Sequence, residues 1–187
     1  MPRAGLNRQI VARTAADLAD EHGWERLTLA AVAARLGVRQ PSLYKHIDSL
    51  AALRRDVTVL AAGELGRELS AAVAGRSGSD ALREIAAAYR RYAHAFPGRY
   101  AASVIAPTPG DTEHERLGAE IVAAVAAVLR GYGSTDDDAL HAIRALRAVL
   151  HGFVALEAAG GFALALDPDE SYRRLIDGFD ASLRIRT

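Results

Sequence analysis

Residues 28–47 read Thr-Leu-Ala-Ala-Val-Ala-Ala-Arg-Leu-Gly-Val-Arg-Gln-Pro-Ser-Leu-Tyr-Lys-His-Ile, and the glycine near their centre restricts the fold more than any other position in this 187-residue chain. Thr28 carries the hydroxyl of a helix cap, and Leu27 and Val32 occupy the two positions of a hydrophobic staple, so a helix is expected to begin there. Gly37 ends it, because glycine enters the left-handed region that closes a helix without steric penalty. Only Val38 intervenes before the polar segment 39–46, in which Pro41 is tolerated because it falls in a first helical turn. Two short helices joined so tightly must meet at a steep angle, and the alanines before Gly37 let them approach closely. The pattern is that of a helix-turn-helix.

Helical period continues through the rest of the chain and no run alternates like a strand, so an all-α fold of about nine helices is expected. A first helix over 6–21 lines up Ile10, Val11, Ala15, Leu18 and Ala19 and stops at Gly23. After the helix-turn-helix pair, a fourth helix capped by Asp48 or Ser49 runs to about residue 73 and meets the flexible tract 75–79. A fifth, 80–95, places Leu82, Ile85, Tyr89, Tyr92 and Phe96 near one face before Pro97 and Gly98 interrupt it. A short helix near 100–105 and one carrying Leu117, Ile121, Val125, Val128 and Leu129 follow. The eighth, 135–159, opens on three aspartates that suit its dipole, and the last begins at Asp167-Pro168-Asp169-Glu170, an N-cap followed by a proline at the first helical position. The domains expected are residues 1–47, a three-helix helix-turn-helix module, and 48–187, a larger helical domain.

Charge supports that division. The whole chain is neutral, but residues 1–55 carry nine Lys/Arg against five Asp/Glu, leaving the remainder acidic. A basic module on an acidic body suits a polyanion partner for the first part only. There is no cysteine, hence no disulfide framework or thiolate chemistry, and a reducing cytoplasm is the natural setting. The start, Met1-Pro2-Arg3-Ala4, lacks a signal-peptide core. The most apolar stretches, 121–129 and 149–166, are too short or are interrupted by His151 and Glu157, so a soluble, cytoplasmic protein is expected. No nucleotide-binding glycine loop, zinc helix or nucleophile elbow is present. His141 and His151 lie about 15 Å apart along one helix, too far to share a metal. Neither cofactor, metal nor catalytic residue is expected.

The segment 28–47 also resembles the tetracycline-repressor (TetR) family, whose pattern of Thr, spaced alanines, Leu-Gly-Val and then Leu-Tyr-x-His it matches almost throughout. That resemblance implies that the second helix of the pair enters the major groove, so that Arg39, Gln40, Pro41 and Ser42 meet base edges. Gln40 is suited to pair bidentately with adenine, and Arg39 with guanine or, from the helix edge, with a phosphate. Thr28, Tyr44, Lys45 and His46 would hold phosphates and fix register. Relatives usually place a lysine at the start of the fourth helix; here Asp48-Ser49-Leu50 stands there, and Arg54 and Arg55, one turn further on, are the candidates to substitute. Towards the other end, residues 150–157 and 160–162 look like the subtype marked by a Trp…His-Gly (WHG) signature, with Arg147 at the position of its tryptophan.

The resemblance further implies a homodimer on a pseudo-palindromic double-stranded operator, released as a repressor by a small-molecule effector. Leu146, Val149 and Phe153 on the eighth helix and Leu175, Phe179 and Leu183 on the last form apolar rows that face either a partner chain or the monomer core. Tyr89, Tyr92, Phe96, Tyr100, His151 and Glu157 are the candidate effector lining, with plain core as the competing assignment. Two other functions compete: a helical enzyme, and a non-specific architectural DNA-binding protein.

Overall fold

Several helices start where a side-chain oxygen takes up a backbone N–H that the helix itself leaves unpaired. Asn7 Oδ1 accepts from Ile10 at 2.9 Å, Thr28 Oγ1 from Ala31 at 3.2 Å, Ser49 Oγ from Ala52 at 3.0 Å and Asp167 Oδ1 from Asp169 at 2.9 Å. Ser49, rather than Asp48, is therefore the cap of the long helix after the turn. The computed structural model describes residues 5–185, so the chain start at residues 1–4 lies outside them. Within the described residues there is no strand, and the elements are α1 (Arg8–His22), a 3-10 turn (Trp24–Arg26), α2 (Leu29–Arg35), a second 3-10 stretch (Gln40–Lys45), α3 (Leu50–Val73), α4 (Gly78–Ala95), α5 (Pro97–Ser103), α6 (Thr112–Arg130), α7 (Asp136–Ala158) and α8 (Pro168–Arg184). The all-α expectation holds, with the recognition segment wound as 3-10 rather than α and an unforeseen turn at Trp24.

The chain divides into two compact units, and the cut does not fall at residue 47. The first unit contains the residues through Leu65 together with Ala95–Gly118. Its core joins Val11, Ala15 and Ala16 of α1 to Val32 of α2, Leu43 and Ile47 of the turn region, and Leu53 and Val57 of α3. Ala102 of α5 belongs to the same core, which is why a segment distant in sequence completes the unit. Pro97 and Gly98 do more than interrupt a helix: Pro97 sits at the start of α5, where its missing N–H is not needed. Gly98 lies against the α1 backbone, the carbonyl of Ala19 leaving no room for a side chain. The Arg99 N–H donates to Asp20 Oδ1 at 2.8 Å, and the Arg99 guanidinium pairs with Asp17.

An ionic chain ties three helices of this unit together. Arg8 of α1 makes two bonds of 2.7 and 2.8 Å to Asp56 of α3. Neighbouring Arg55 makes two of 2.7 Å to Asp111 at the start of α6, and a third of 3.1 Å to Glu113. The Arg55 guanidinium holds the Asp111 carboxyl at about 2, well below the usual carboxylate range.

The second unit contains Gly66–His94 and the residues from Ala119 onward. Leu82, Ile85, Tyr89 and Tyr92 are buried along α4 as the spacing predicts. Asp180 of α8 is buried, accepting from Ser79 Oγ at 2.6 Å and from the Tyr132 hydroxyl, with Arg184 Nε at 3.1 Å. The Tyr172 hydroxyl donates to the Ala86 carbonyl at 2.7 Å, so α8 is fastened to α4 by polar as well as apolar contacts. Helix α7 corrects one expectation. It runs unbroken through His151 and Glu157, and by length and composition alone it is apolar enough to cross a membrane. Only 28% of its most apolar window is buried within the chain.

Candidate nucleic-acid interface

The helix-turn-helix is built by local chemistry. Gly37 adopts φ 67°, the left-handed value its position demands. The Val38 N–H bonds the Ala33 carbonyl at 3.0 Å, and the Gly37 N–H bonds that of Ala34 at 3.1 Å. The chain then extends through Arg39, at φ −78° and ψ 142°, and winds up again at Gln40 with Pro41 in the first turn. Two apolar anchors fix the recognition stretch from beneath. Leu43 is fully buried, and Ile47 just past the stretch is 2% exposed.

Everything else on the stretch faces outward. Arg39, Gln40, Pro41, Tyr44 and Lys45 are exposed, and Ser42 and His46 are half-buried. Tyr44 is 52% exposed, which rules out a core role within the chain. Thr28 is exposed, and because its oxygen already accepts from Ala31, its hydroxyl hydrogen is free to donate. Among the described residues Arg39 and Lys45 have no acidic partner, whereas three arginines of the supporting scaffold do. Arg35 is paired with Glu21, Arg8 with Asp56 and Arg55 with Asp111. Unneutralised donors on a convex turn of helix are what phosphate and base-edge contacts require.

Arg54 and Arg55 do not sit where a phosphate contact would put them. Arg55 is engaged by Asp111 and Glu113. Arg54 lies over the Trp24 ring, 5.5 Å from its centre, and donates from NH2 to the Glu25 carbonyl at 3.2 Å. Sequence reasoning missed Trp24 as the receiver of Arg54; a lone tryptophan after a helix-ending glycine was the available signal.

The candidate effector residues separate between the units. Phe96 and Tyr100 belong to the first, and Tyr89, Tyr92, His151 and Glu157 to the second. Tyr89, Tyr92 and Tyr100 are buried, Phe96 is 37% exposed and His151 is exposed. Glu157 is the centre of a cluster the sequence did not reveal. It receives Arg90 at 2.5 and 3.0 Å and His94 Nε2 at 2.7 Å, and Arg90 also reaches Asp169 at 2.7 Å. The Arg90 guanidinium stands 4.9 Å from the Tyr172 ring centre and 5.6 Å from that of Phe153. Arg90 lowers the Glu157 carboxyl below its ordinary range, burial opposing. Of the candidate dimer residues, Leu146, Phe153 and Leu183 are buried within the chain, whereas Val149, Leu175 and Phe179 are half-exposed.

Comparison with known proteins matches both parts of this architecture. Residues 12–57 match the family model described as bacterial regulatory proteins, tetR family, and residues 82–179 match that of the tetracyclin repressor-like C-terminal domain. An uncharacterised HTH-type transcriptional regulator of Mycobacterium tuberculosis is 37% identical over 98% of this chain and 84% of its own length. One from Bacillus subtilis is 36% identical over 98% and 96%. Among solved structures, a Rhodococcus protein of unknown function superposes with TM-score 0.81 at 21% identity, covering 98% of each chain. A single-residue variant of TetR from Acinetobacter baumannii, solved in complex with minocycline, gives 0.71 at 22% identity over 97% and 99%.

Proposed function

Because the chain belongs to the TetR family of bacterial transcriptional regulators, it is a DNA-binding regulator of transcription, and we propose that it represses as a two-fold dimer that a small-molecule effector releases from a pseudo-palindromic operator. The observation that carries the reading is the outward face of the Arg39–His46 turn, with its unpaired Arg39 and Lys45 held on buried Leu43. In this proposal Arg39, Gln40, Pro41 and Ser42 read bases, while Thr28, Tyr44, Lys45 and His46 hold phosphates. Functionally, residues 1–47 read DNA and 48–187 bind effector and dimerise, although the compact units are cut differently. As in other transcription regulators of this family, the place of action is the cytosol.

The dimer assignment rests on α7. An apolar helix with so little of its surface covered needs a partner, and a second copy of the chain supplies one by two-fold symmetry. Half-exposed Val149, Leu175 and Phe179 meet the partner in this reading, and Leu146, Phe153 and Leu183 support them from the core side. Tyr89, Tyr92, His151 and Glu157, all in the second unit, remain the proposed effector contacts, suited to an apolar molecule with a few polar groups. Residues 150–157 keep the likeness to the WHG subtype.

Selection of bound sequences from random DNA tests the proposal, followed by titration of the complex with a ligand panel. Enrichment of one pseudo-palindrome bound by two chains, and its release by a panel member, are expected. Equal operator affinity with every compound in a broad panel would overturn the effector part, and enrichment of no sequence would overturn the operator part.

A further inference from the structure

Arg54 is a cation in the DNA-reading unit that does not face outward. Its guanidinium covers the Trp24 indole at 5.5 Å and its NH2 donates to the Glu25 carbonyl at 3.2 Å. Its Nε is buried with no hydrogen-bond partner, a placement that disfavours the folded state unless the group fixes something in return. What it fixes is the 3-10 turn Trp24–Arg26, whose indole is 8% exposed in the core of the unit. The turn closes on itself through the Leu27 N–H to the Trp24 carbonyl at 3.3 Å, and the next residue is Thr28. Arg54 itself is anchored on α3, where its carbonyl accepts from Thr58 Oγ1 at 3.0 Å. One side chain therefore sets the height of the Trp24–Thr28 segment on the long helix.

We infer that Arg54 is a positioning residue for DNA binding: through Trp24 and Glu25 it holds the Thr28 hydroxyl where it can donate to a backbone phosphate, without touching DNA itself. The inference rests on the phosphate role proposed for Thr28. A cation over the indole face that also aims a donor at a carbonyl suits a guanidinium and no other cationic side chain. A positioning role acts on affinity alone. It leaves base preference untouched, and it leaves the salt dependence untouched because no phosphate charge is neutralised by Arg54.

The test uses the full chain and the operator selected from random DNA, with affinity measured by fluorescence anisotropy across a salt series well below the melting temperature. Arg54→Met keeps the stem that packs on the indole and removes the guanidinium with its unpaired Nε. The expected result is a fold that melts within a few degrees of the unaltered chain and operator binding weaker by about tenfold, the scale of one lost charge-assisted hydrogen bond. The slope of log affinity against log salt stays the same, and the double variant with Thr28→Ala binds no more weakly than either single one. Unchanged affinity overturns the inference, as does a slope shallower by about 0.9, which marks a direct phosphate contact. Additive losses with Thr28→Ala also overturn it. Should Arg54→Met not fold, Arg54→Gln carries the same measurements. If the unaltered chain binds but Thr28→Ala alone has no effect, the fault lies with the phosphate role of Thr28, which separates that failure from failure of the positioning step.

Discussion

Replacing Gly98 with alanine adds a single methyl group, and the structure indicates that this group has nowhere to go. An ideal Cβ at this position would overlap the carbonyl carbon and oxygen of Ala19 and lie 2.5 Å from the backbone nitrogen of Asp20. Carbon atoms in good contact stand about 3.5–4.0 Å apart, so α5 must retreat from α1 by roughly 1 Å or more. The obstructing atoms are backbone in a helix and cannot rotate aside. Overpacking of this kind costs about 1–3 kcal/mol, and retreat also stretches the 2.8 Å bond from the Arg99 N–H to Asp20, an interaction with a charged acceptor worth about 1.5–3 kcal/mol. Against this stands a helix-propensity gain of at most about 1 kcal/mol. The net expectation is a loss of roughly 3 kcal/mol, or about 6–12 °C in melting temperature for a chain of this length. Gly118 in α6 provides the control, since a Cβ there meets nothing within 4 Å. Gly118→Ala should hold or raise the melting temperature by about 1–3 °C. Thermal denaturation followed by circular dichroism at one fixed protomer concentration reads both variants. A Gly98→Ala protein that melts at or above the unaltered chain would refute the close-packing argument.

Other perturbations separate the roles assigned above. Gln40→Ala should flatten the base preference at one operator position, the discrimination of a bidentate pair being about 1–3 kcal/mol, whereas Lys45→Ala should weaken all sites alike and reduce the salt slope by about 0.9. Parallel selections and salt titrations compare them, and the same loss of specificity in both counts against the division into readers and holders. Val149→Arg and Phe179→Glu place charge on half-exposed apolar positions and should shift the chain to monomer in analytical ultracentrifugation; a dimer that persists in both would move the interface elsewhere. The Asp111 carboxyl, held at about 2 by Arg55, lies below its unfolded value, so the stabilisation it contributes is complete above about pH 4 and is lost as pH falls towards 2. Asp111→Asn should therefore flatten the fall of the urea midpoint between pH 4 and pH 2, and an unaltered slope there would show that Arg55 does not perturb this group.

What the sequence disclosed was what local chemistry decides. Thr28, Ser49 and Asp167 cap because a short oxygen-bearing side chain precedes a helical run, and Gly37 turns because only a residue without Cβ takes φ 67° cheaply. The exposed recognition face followed from the same local signals, since Leu43 and Ile47 alone on that stretch are apolar enough to anchor it. Contacts between distant segments were hidden. Nothing near Gly98 announces that Ala19, some eighty positions earlier, leaves it no room, and nothing near Glu157 names Arg90 and His94 as partners. Helix α7 shows a third limit. Its apolar residues surround so much of the circumference that period alone did not tell that Leu146 and Phe153 point inward while Val149 is half-exposed. Arg54 and Arg55 illustrate the same limit in charge, because an arginine reads identically in sequence whether it faces phosphate, aspartate or indole.

The most direct examination of the account is a footprint of the purified full-length chain on a DNA fragment carrying the selected operator, at low and at moderate salt. Protection of one short stretch with two-fold related halves, centred about 34–36 Å apart or at a multiple of that spacing, is the predicted outcome. Protection spread evenly along the fragment, or none at the lowest salt, would contradict it.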